Sequence, residues 1–495
     1  MKIKKLAIAN RGEVAVRIIR ACEELNIKTV LLHSEADEKT EAYRLADETV
    51  CIGGSEVSES YLNIENTVNG AKAAKVDALH PGFGFLSENA DFVRAVEAAR
   101  IRFVGPTAES IDLFGDKVSA KKLVEKAGGP VIPGYQGDDQ TLDELKRQLE
   151  KIGFPAMVKA AAGGGGRGLR VIGSIEEAES AIESAKREGL NAFGSDRVFL
   201  EKYLGNAKHI EVQIFVDGMG NVFHLCEREC SVQRRHQKIV EEAPSFILPE
   251  EIRRQMCETA ALIAKEARYK GAGTVEFLFQ DNEFFFLEMN TRLQVEHPVT
   301  EMVLGVDLVK AQILTAQDMA CLWDQEDLSP RGHSIECRLY AEDPYQNGVP
   351  STGKLGSIYF PHGYGRRLEI GFAEGDEVTS FYDSMIAKII VWDESRPRAI
   401  EKMKRTLRDT IVFGVKTNIP FLLEILSHYE FVDGTMTTQF INKYFSKGLE
   451  GVELDEQEEK WLKELSRKIK GSSSEFEHNF KSTAVPNPWV GNWEN

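Results

Sequence analysis

The sequence has no Cys-x-x-Cys pair, although seven cysteines stand at 22, 51, 226, 230, 257, 321 and 337. An odd number without that spacing indicates neither a zinc site nor a disulfide framework. Reduced, mostly buried thiols in a cytoplasmic enzyme are expected. Long apolar runs are also missing. The run 6–9 ends at Asn10-Arg11, too short for a signal peptide, and no stretch could span a membrane. Positive charge is in deficit, with 61 Lys and Arg against 78 Asp and Glu and a net charge of −17. That excludes nucleic acid or an anionic membrane as the main partner, while a local basic site could still take an anionic substrate. Two phosphate-binding signatures are absent. The turn Asn10-Arg-Gly-Glu13 lacks GxGxxG, and the glycine run at 163–166 does not end in Gly-Lys-Ser/Thr.

What is present reads as an ordinary folded protein, with 42% hydrophobic and 28% charged residues over 495 positions. That length predicts two to four domains. A strand at 4–9, a turn, a helix at 14–25 and a strand at 28–32 make a βαβ unit with a parallel sheet. A strand ending in the Gly-rich loop His80-Pro-Gly-Phe83 and another at 102–104 complete an α/β domain over 1–114. Gly115-Asp-Lys117 opens a helix that Gly128-Gly-Pro130 stops. Lys159 lies in a strand at 155–160, before the run Gly163-Gly-Gly-Gly-Arg-Gly168 and a strand at 169–172. Such a run predicts a mobile flap whose amides can wrap an anion, or simply a flexible hairpin tip. A hairpin is expected from 209–216 and 222–226 across Asp217-Gly-Met-Gly220. The bases of Gln233-Arg-Arg-His-Gln-Lys238 mark either a phosphate or bicarbonate site or an exposed charged loop. A third region, 331–446, starts with a strand at 334–340 in which Arg338 sits among apolar neighbours. Helices are expected there at 399–410 and 420–428. From 447 the composition changes to a charged helix at 450–470 and a tail with two tryptophans, expected to dock on a partner or on the body of the protein.

The most informative stretch is 271–298. Two apolar runs flank Asp281-Asn282, which predicts a β-hairpin. Glu276 then falls opposite position 287 or 288, and Glu288 and Asn290 share a face with it nearby. Two carboxylates and an amide oxygen suit a hard cation such as Mg²⁺ or Mn²⁺. Arg292, Gln294 and Glu296 follow at spacing two, so an extended backbone would set a guanidinium, an amide and a carboxylate beside that cation. The row reads as metal plus anion without naming a reaction.

Taken in order, these motifs resemble biotin carboxylase, the ATP-grasp component of biotin-dependent carboxylases, from about residue 3 to 445. The resemblance rests on Ile8-Ala-Asn-Arg-Gly-Glu13, His80-Pro-Gly-Phe-Gly-Phe-Leu-Ser-Glu-Asn89, Gly115-Asp-Lys117, the glycine run, Glu201-Lys-Tyr-Leu204, Gln233–Lys238, Glu288–His297, Arg338 and Tyr382-Asp-Ser-Met385. It implies an α/β and α+β fold of ATP-grasp architecture, with a Rossmann-like N-terminal domain. The ATP-grasp domain would be 115–330, its glycine-rich lid about 132–204, and a β-rich C-terminal domain 331–446. By resemblance Lys117 and Lys159 bind ATP phosphates, with Gly165 and Gly166 in the lid. Glu201, Lys202 and Leu204 hold the adenine end, and His209, Gln233 and His236 line the nucleotide site. Glu276, Glu288 and Asn290 look like ligands for one or two Mg²⁺ or Mn²⁺ ions. Lys238, Arg292, Gln294 and the Val295 backbone resemble a bicarbonate cradle, and Phe83 and Gly84 lie near the biotin. Phe83 stands where some members carry tyrosine, so the ring remains and a hydroxyl is lost.

The implied reaction is ATP-dependent carboxylation of biotin through carboxyphosphate, the first half-reaction of enzymes such as the acetyl-CoA carboxylase of fatty acid biosynthesis. Glu296 would be the general base, its pKa held down by Arg292. Arg338 would stabilise the biotin enolate. No Ala-Met-Lys-Met attachment sequence occurs, and Lys402-Met-Lys404 lies within a helical pattern. Biotin is therefore expected on a separate carrier protein, with a separate carboxyltransferase choosing acetyl-CoA, propionyl-CoA or pyruvate, and with this chain as a homodimer. Carbamoyl phosphate synthesis or carboxylate–amine ligation on the same fold, and a non-catalytic nucleotide-binding subunit, stand as alternatives. Gln294, Glu296 and Arg338 together speak against the first pair, and intact Lys159, Glu276, Glu288, Arg292 and Glu296 against the last.

Overall fold

Continuous apolar runs at 6–8 and 30–32, buried on both faces, build the first sheet of the computed structural model, which describes residues 2–160, 169–193, 196–235 and 237–449. Strands β1 (Lys5–Ile8), β2 (Lys28–Ser34), β3 (Glu48–Gly53), β4 (Ala78–His80) and β5 (Arg102–Phe103) are parallel, in the order β3-β2-β1-β4-β5. Helix α1 (Gly12–Glu24) follows β1, as the βαβ reading expects, and buries Val14, Ile18 and Cys22 against the sheet. The loop after β4 is tied back to the turn after β1. Asn10 Nδ2 donates to the carbonyls of Pro81 (2.7 Å) and Phe83 (2.8 Å). Gly82 has φ +64, and a Cβ there would meet Asn10 Nδ2 at 2.7 Å, so this close approach requires glycine.

Asp116 caps the next helix, Lys117–Lys126, accepting from the amides of Val118 and Ser119. The cap explains why the chain turns into a helix at Gly115-Asp-Lys117. A four-stranded antiparallel sheet follows. It comprises β6 (Gly134–Tyr135), β7 (Ala156–Ala160), β8 (Leu169–Ile172) and β9 (Val198–Lys202), in the order β6-β9-β7-β8.

The centre of the molecule is an antiparallel sheet of eight strands. It contains β10 (Lys208–Val216), β11 (Val222–Arg234), β12 (Gln237–Ala243), β13 (Gly271–Gln280), β14 (Glu283–Asn290) and β15 (His333–Tyr340). The strands Met385–Asp393 and Arg366–Ile370 complete it, and the order runs β14-β13-β10-β11-β12-β15 and then those two. The expected hairpin of β13 and β14 is present, and Asp281 and Asn282 have φ of 54° and 61°. Two consecutive left-handed residues are what a two-residue hairpin turn demands, and Asp and Asn tolerate that region well. Within the basic stretch, Gln233 and Arg234 end β11 and Gln237 and Lys238 open β12, so the half-buried Lys238 is carried by a strand while Arg235 and Gln237 are exposed. Strand β15, the start of the third sequence region, pairs directly with β12, so one sheet runs through both regions.

One face of β10 and β13 carries a core with Phe277 at its middle, fully buried and 5.4 Å edge-to-face from Phe284. Phe277→Ala is expected to cost about 3–5 kcal/mol, read as a lower urea midpoint for unfolding. An unchanged midpoint would show that this core does not hold the hairpin.

Lys402 and Lys404 lie in the helix Arg396–Asp409, as read from the sequence. None of the described helices is long and apolar enough to cross a membrane. The glycines 163–168, His236, the expected helix at 450–470 and the tryptophan tail lie outside the described residues.

Candidate active site

Three neighbouring strands place carboxylates side by side. Glu211 of β10 is in register with Glu276 of β13, which is in register with Glu288 of β14. Like charges directly opposite on a sheet destabilise it. Cations from other elements compensate. Lys238 of β12 donates from Nζ to Glu276 Oε1 at 2.8 Å and to Glu296 Oε1 at 2.7 Å, and also pairs with Glu211. Arg228 of β11 is fully buried and pairs with Glu211. It also donates to Gln213 Oε1 (2.8 Å), Thr300 Oγ1 (3.0 Å) and Thr274 Oγ1 (3.2 Å). His209 Nε2 lies 3.1 Å from Glu276 Oε2.

These pairings set the protonation states. Burial opposes the charge on His209, but Glu276 and Glu211 outweigh it and push its pKa up to about 9. Burial raises Glu276, yet Lys238 and His209 hold it well below the usual carboxylate range. Glu288 goes the other way: burial and the charge of Glu276 raise it. A carboxylate that resists ionisation beside an ionised neighbour fits a site for a hard divalent cation. Asn290 stands next to them, donating from Nδ2 to Glu276 Oε1 (2.8 Å) and accepting at Oδ1 from Arg292 (2.9 Å). His209, Glu211 and Glu276 also bring ligand atoms together.

The expected extended row beyond Asn290 is not what the backbone does. Strand β14 ends at Asn290, the chain bends, and Glu296 becomes the N-cap of the helix His297–Leu304, with a proline in its first turn. The side chains converge around a turn, so their spacing of two is not a strand alternation. Arg292 faces Glu88 (2.8 Å), Gln294 Oε1 (3.1 Å) and Asn290, not Glu296. Lys238 and Arg338 are the direct partners of Glu296. Arg338 of β15 donates from Nη2 to Glu296 Oε2 at 2.8 Å and from Nε to Glu241 Oε1 at 2.6 Å. Burial raises Glu296, and Lys238 and Arg338 bring it below its ordinary value. The carboxylate is thus ionised, but Lys238 and Arg338 keep it so, not Arg292. Glu241 is pushed up to about 7, mainly by burial.

A cavity of about 650 Å³ opens onto this network, walled by Phe83, Lys117, Lys238, Arg338 and the carboxylates of Glu276 and Glu288, while Glu296 lies behind Lys238 and Arg338 and is not part of the wall. Lys159, Glu201, Lys202 and Leu204 are not among its walls. Glu201 of β9 is paired with Lys159 and, at 2.6 Å, with Lys121. Lys202 Nζ lies 5.8 Å from the ring centre of Phe285. Gly165, Gly166 and His236 fall outside the described residues. Sequence reading missed Glu88, Glu211, Arg228, Glu241 and Lys121. The polar period-two series His209, Glu211, Gln213 in an otherwise apolar strand was a signal for Glu211.

Comparison with known proteins agrees with this geometry. Family models match residues 2–111 (biotin carboxylase, N-terminal domain), 116–321 (carbamoyl-phosphate synthase L chain, ATP binding domain) and 336–443 (biotin carboxylase C-terminal domain). Biotin carboxylase 1 of Bacillus subtilis is 47% identical over 444 residues, 89% of this chain and 99% of that protein. The mitochondrial propionyl-CoA carboxylase alpha chain of Sus scrofa is 41% identical over 498 residues, 99% of this chain and 68% of that one. Among solved structures, the biotin carboxylase domain of a thermophilic 2-oxoglutarate carboxylase bound to bicarbonate superposes with a TM-score of 0.86 at 42% identity, covering 90% of this chain and 98% of that one. Biotin carboxylase from Campylobacter jejuni gives 0.82 at 44% identity, over 90% of this chain and 99% of that one. Fold and site therefore define an ATP-grasp ligase, an enzyme that forms a C–N bond at the expense of ATP. Within that class the chain belongs to the biotin carboxylase family, which carboxylates biotin with ATP and bicarbonate.

Proposed function

We propose that this chain carboxylates biotin held on a separate carrier protein, and that the Lys238–Glu296–Arg338 chain of contacts at the cavity is its reacting centre. That chain of contacts is the observation that carries the reading. Bicarbonate sits against Lys238, Arg292, Gln294 and the backbone of Val295. Glu296, kept ionised by its two cations, takes the bicarbonate proton. The freed oxygen attacks the γ-phosphorus of ATP, the bond to ADP breaks, and carboxyphosphate forms. Carboxyphosphate splits into CO₂ and phosphate, and the phosphate takes the N1′ proton of biotin. The enolate charge on biotin falls beside Arg338, and N1′ then bonds to the carbon of CO₂. Lys117 and Lys159 take the phosphates of ATP. Glu201, Lys202 and Leu204 take its adenine end, and His209 and Gln233 complete the wall. Phe83 and Gly84 face the biotin.

Glu276, Glu288 and Asn290 would hold Mg²⁺ or Mn²⁺. The cation supplies charge neutralisation on the phosphates. Glu288→Gln should raise the Mg²⁺ concentration for half-maximal activity on the order of 10-fold or more. An unaltered Mg²⁺ dependence would remove Glu288 from the ligand set.

In this reading the three matched segments act as an N-terminal domain, an ATP-grasp domain and a C-terminal domain, and the chain works as a cytoplasmic homodimer with a carboxyltransferase. The match to the Sus scrofa alpha chain runs through 99% of the sequence, which favours an acyl-CoA as the final acceptor. The deciding measurement is bicarbonate-dependent ADP release with and without free biotin. Strong stimulation by biotin is expected. Release indifferent to biotin but dependent on an amine would favour carboxylate–amine ligation.

A further inference from the structure

Lys388 is fully buried and lies on the strand Met385–Asp393, directly across the ladder from Arg338 of β15. Two cations in register on one face of a sheet repel each other, and an ammonium in a dry interior is strongly disfavoured without partners. A methionine of the same length would fill the volume without either penalty. The ammonium makes two specific contacts. Its Nζ donates to the carbonyl of Val295 at 2.8 Å, and it lies 3.1 Å from Glu13 Oε2. Arg338 meanwhile donates to the side chain of Glu296 at 2.8 Å. Two cross-strand neighbours therefore hold two consecutive residues of the turn that follows β14. The ring of Phe83, on the wall of the same cavity, is 5.9 Å from Lys388 Nζ.

The Val295 carbonyl belongs to the peptide that joins Val295 to Glu296. Holding it fixes the turn on which the Glu296 carboxylate stands. Glu13, in the first turn of α1, supplies the counter-charge from a different part of the chain. It is buried, which pushes its carboxyl up to about 7 against the pull of Lys388, and neither of its oxygens makes a hydrogen bond among the described residues. Its place in Asn10-Arg-Gly-Glu13 gives that motif a task that nucleotide binding did not require.

We infer that Lys388 is a positioning residue, which with Glu13 as counter-ion locks the Val295–Glu296 turn into the geometry that receives bicarbonate. The inference rests on the reaction proposed above. It is tested on the full-length chain with three variants: Lys388→Met, Lys388→Arg and the double variant Glu13→Gln/Lys388→Met. Urea midpoints are measured alongside kcat and the separate KM values for bicarbonate and ATP. For Lys388→Met, kcat/KM for bicarbonate should fall on the order of 10-fold to 10²-fold, the scale of a small misplacement of a reacting group. The KM for ATP should stay within about twofold, since holding the nucleotide does not depend on this turn. The double variant removes the unpaired buried carboxylate, so it should regain stability lost in Lys388→Met without regaining kcat/KM. Arginine, which keeps a donor, should restore part of the activity. The inference is overturned if Lys388→Met leaves kcat/KM for bicarbonate intact. It is equally overturned if the double variant recovers activity together with stability, since Lys388 would then serve folding alone. A wild-type chain without biotin-stimulated ADP release would sink the reaction itself, and an active wild type leaves the variants to report on Lys388.

Discussion

Glu296→Gln should lower biotin-dependent turnover on the order of 10²-fold or more, with a loss of stability of up to about 3–5 kcal/mol, read from urea unfolding, because two buried cations lose their shared counter-charge. The carboxylate is fully buried between Lys238 and Arg338, two residues that line the cavity, so it stays charged and fixed in direction. Glutamine keeps the shape and one acceptor oxygen for these donors but cannot accept a proton. Turnover is therefore compared under conditions where urea unfolding shows the variant to be folded, so that loss of the base is read apart from loss of stability. The companion change Arg338→Ala should produce a loss of similar size by another route, leaving the enolate charge without its cation. Near-normal ATP cleavage dependent on free biotin in both variants would withdraw these two assignments.

The second large effect concerns stability. Arg228→Met should destabilise the protein by about 3–5 kcal/mol, because a buried ion pair that loses one partner leaves an uncompensated charge. Four side chains depend on this guanidinium: Glu211, Gln213, Thr274 and Thr300. Burial raises Glu211, and Lys238 and Arg228 bring it well below its ordinary value. With Arg228 gone, Lys238 and the more distant His209 must hold Glu211, and the share of Lys238 in Glu276 and Glu296 weakens. Adding Glu211→Gln should recover much of the loss in a double-mutant cycle. A single variant as stable as the wild type would show that Lys238 and His209 suffice.

The hairpin was legible because its signals are local. Apolar runs of strand length, a turn dipeptide suited to left-handed backbone, and the opposed pair Glu276–Glu288 all lie within 271–290. The same logic failed six residues later. Spacing of two looks alike in a strand and in a bend that enters a helix, and only Pro298 hinted that Glu296 opens a helix. The partners of Glu296 were out of reach for a different reason. Lys238 and Arg338 come from strands far away in sequence, and pairing of β12 with β15 is a long-range event that composition does not encode. Glu88, 204 positions from Arg292, is a further case. Motif resemblance named Lys238 and Arg338 as participants, but geometry was needed to show that they hold Glu296 while Arg292 holds Glu88.

The shared ladder between β12 and β15 also bears on how such a chain could be cut or recombined. The segments 116–321 and 336–443 look like exchangeable modules when matched separately. Yet severing the chain between them would strip β12 of the neighbour that satisfies its outer backbone groups at Val240–Ala243. A fragment ending there would display a raw sheet edge, the kind of template on which chains stick to one another. Grafting the nucleotide-binding half onto a foreign partner would thus demand a replacement strand, not merely a linker. The ATP-binding segment and the strand that carries Arg338 are inherited as one woven piece.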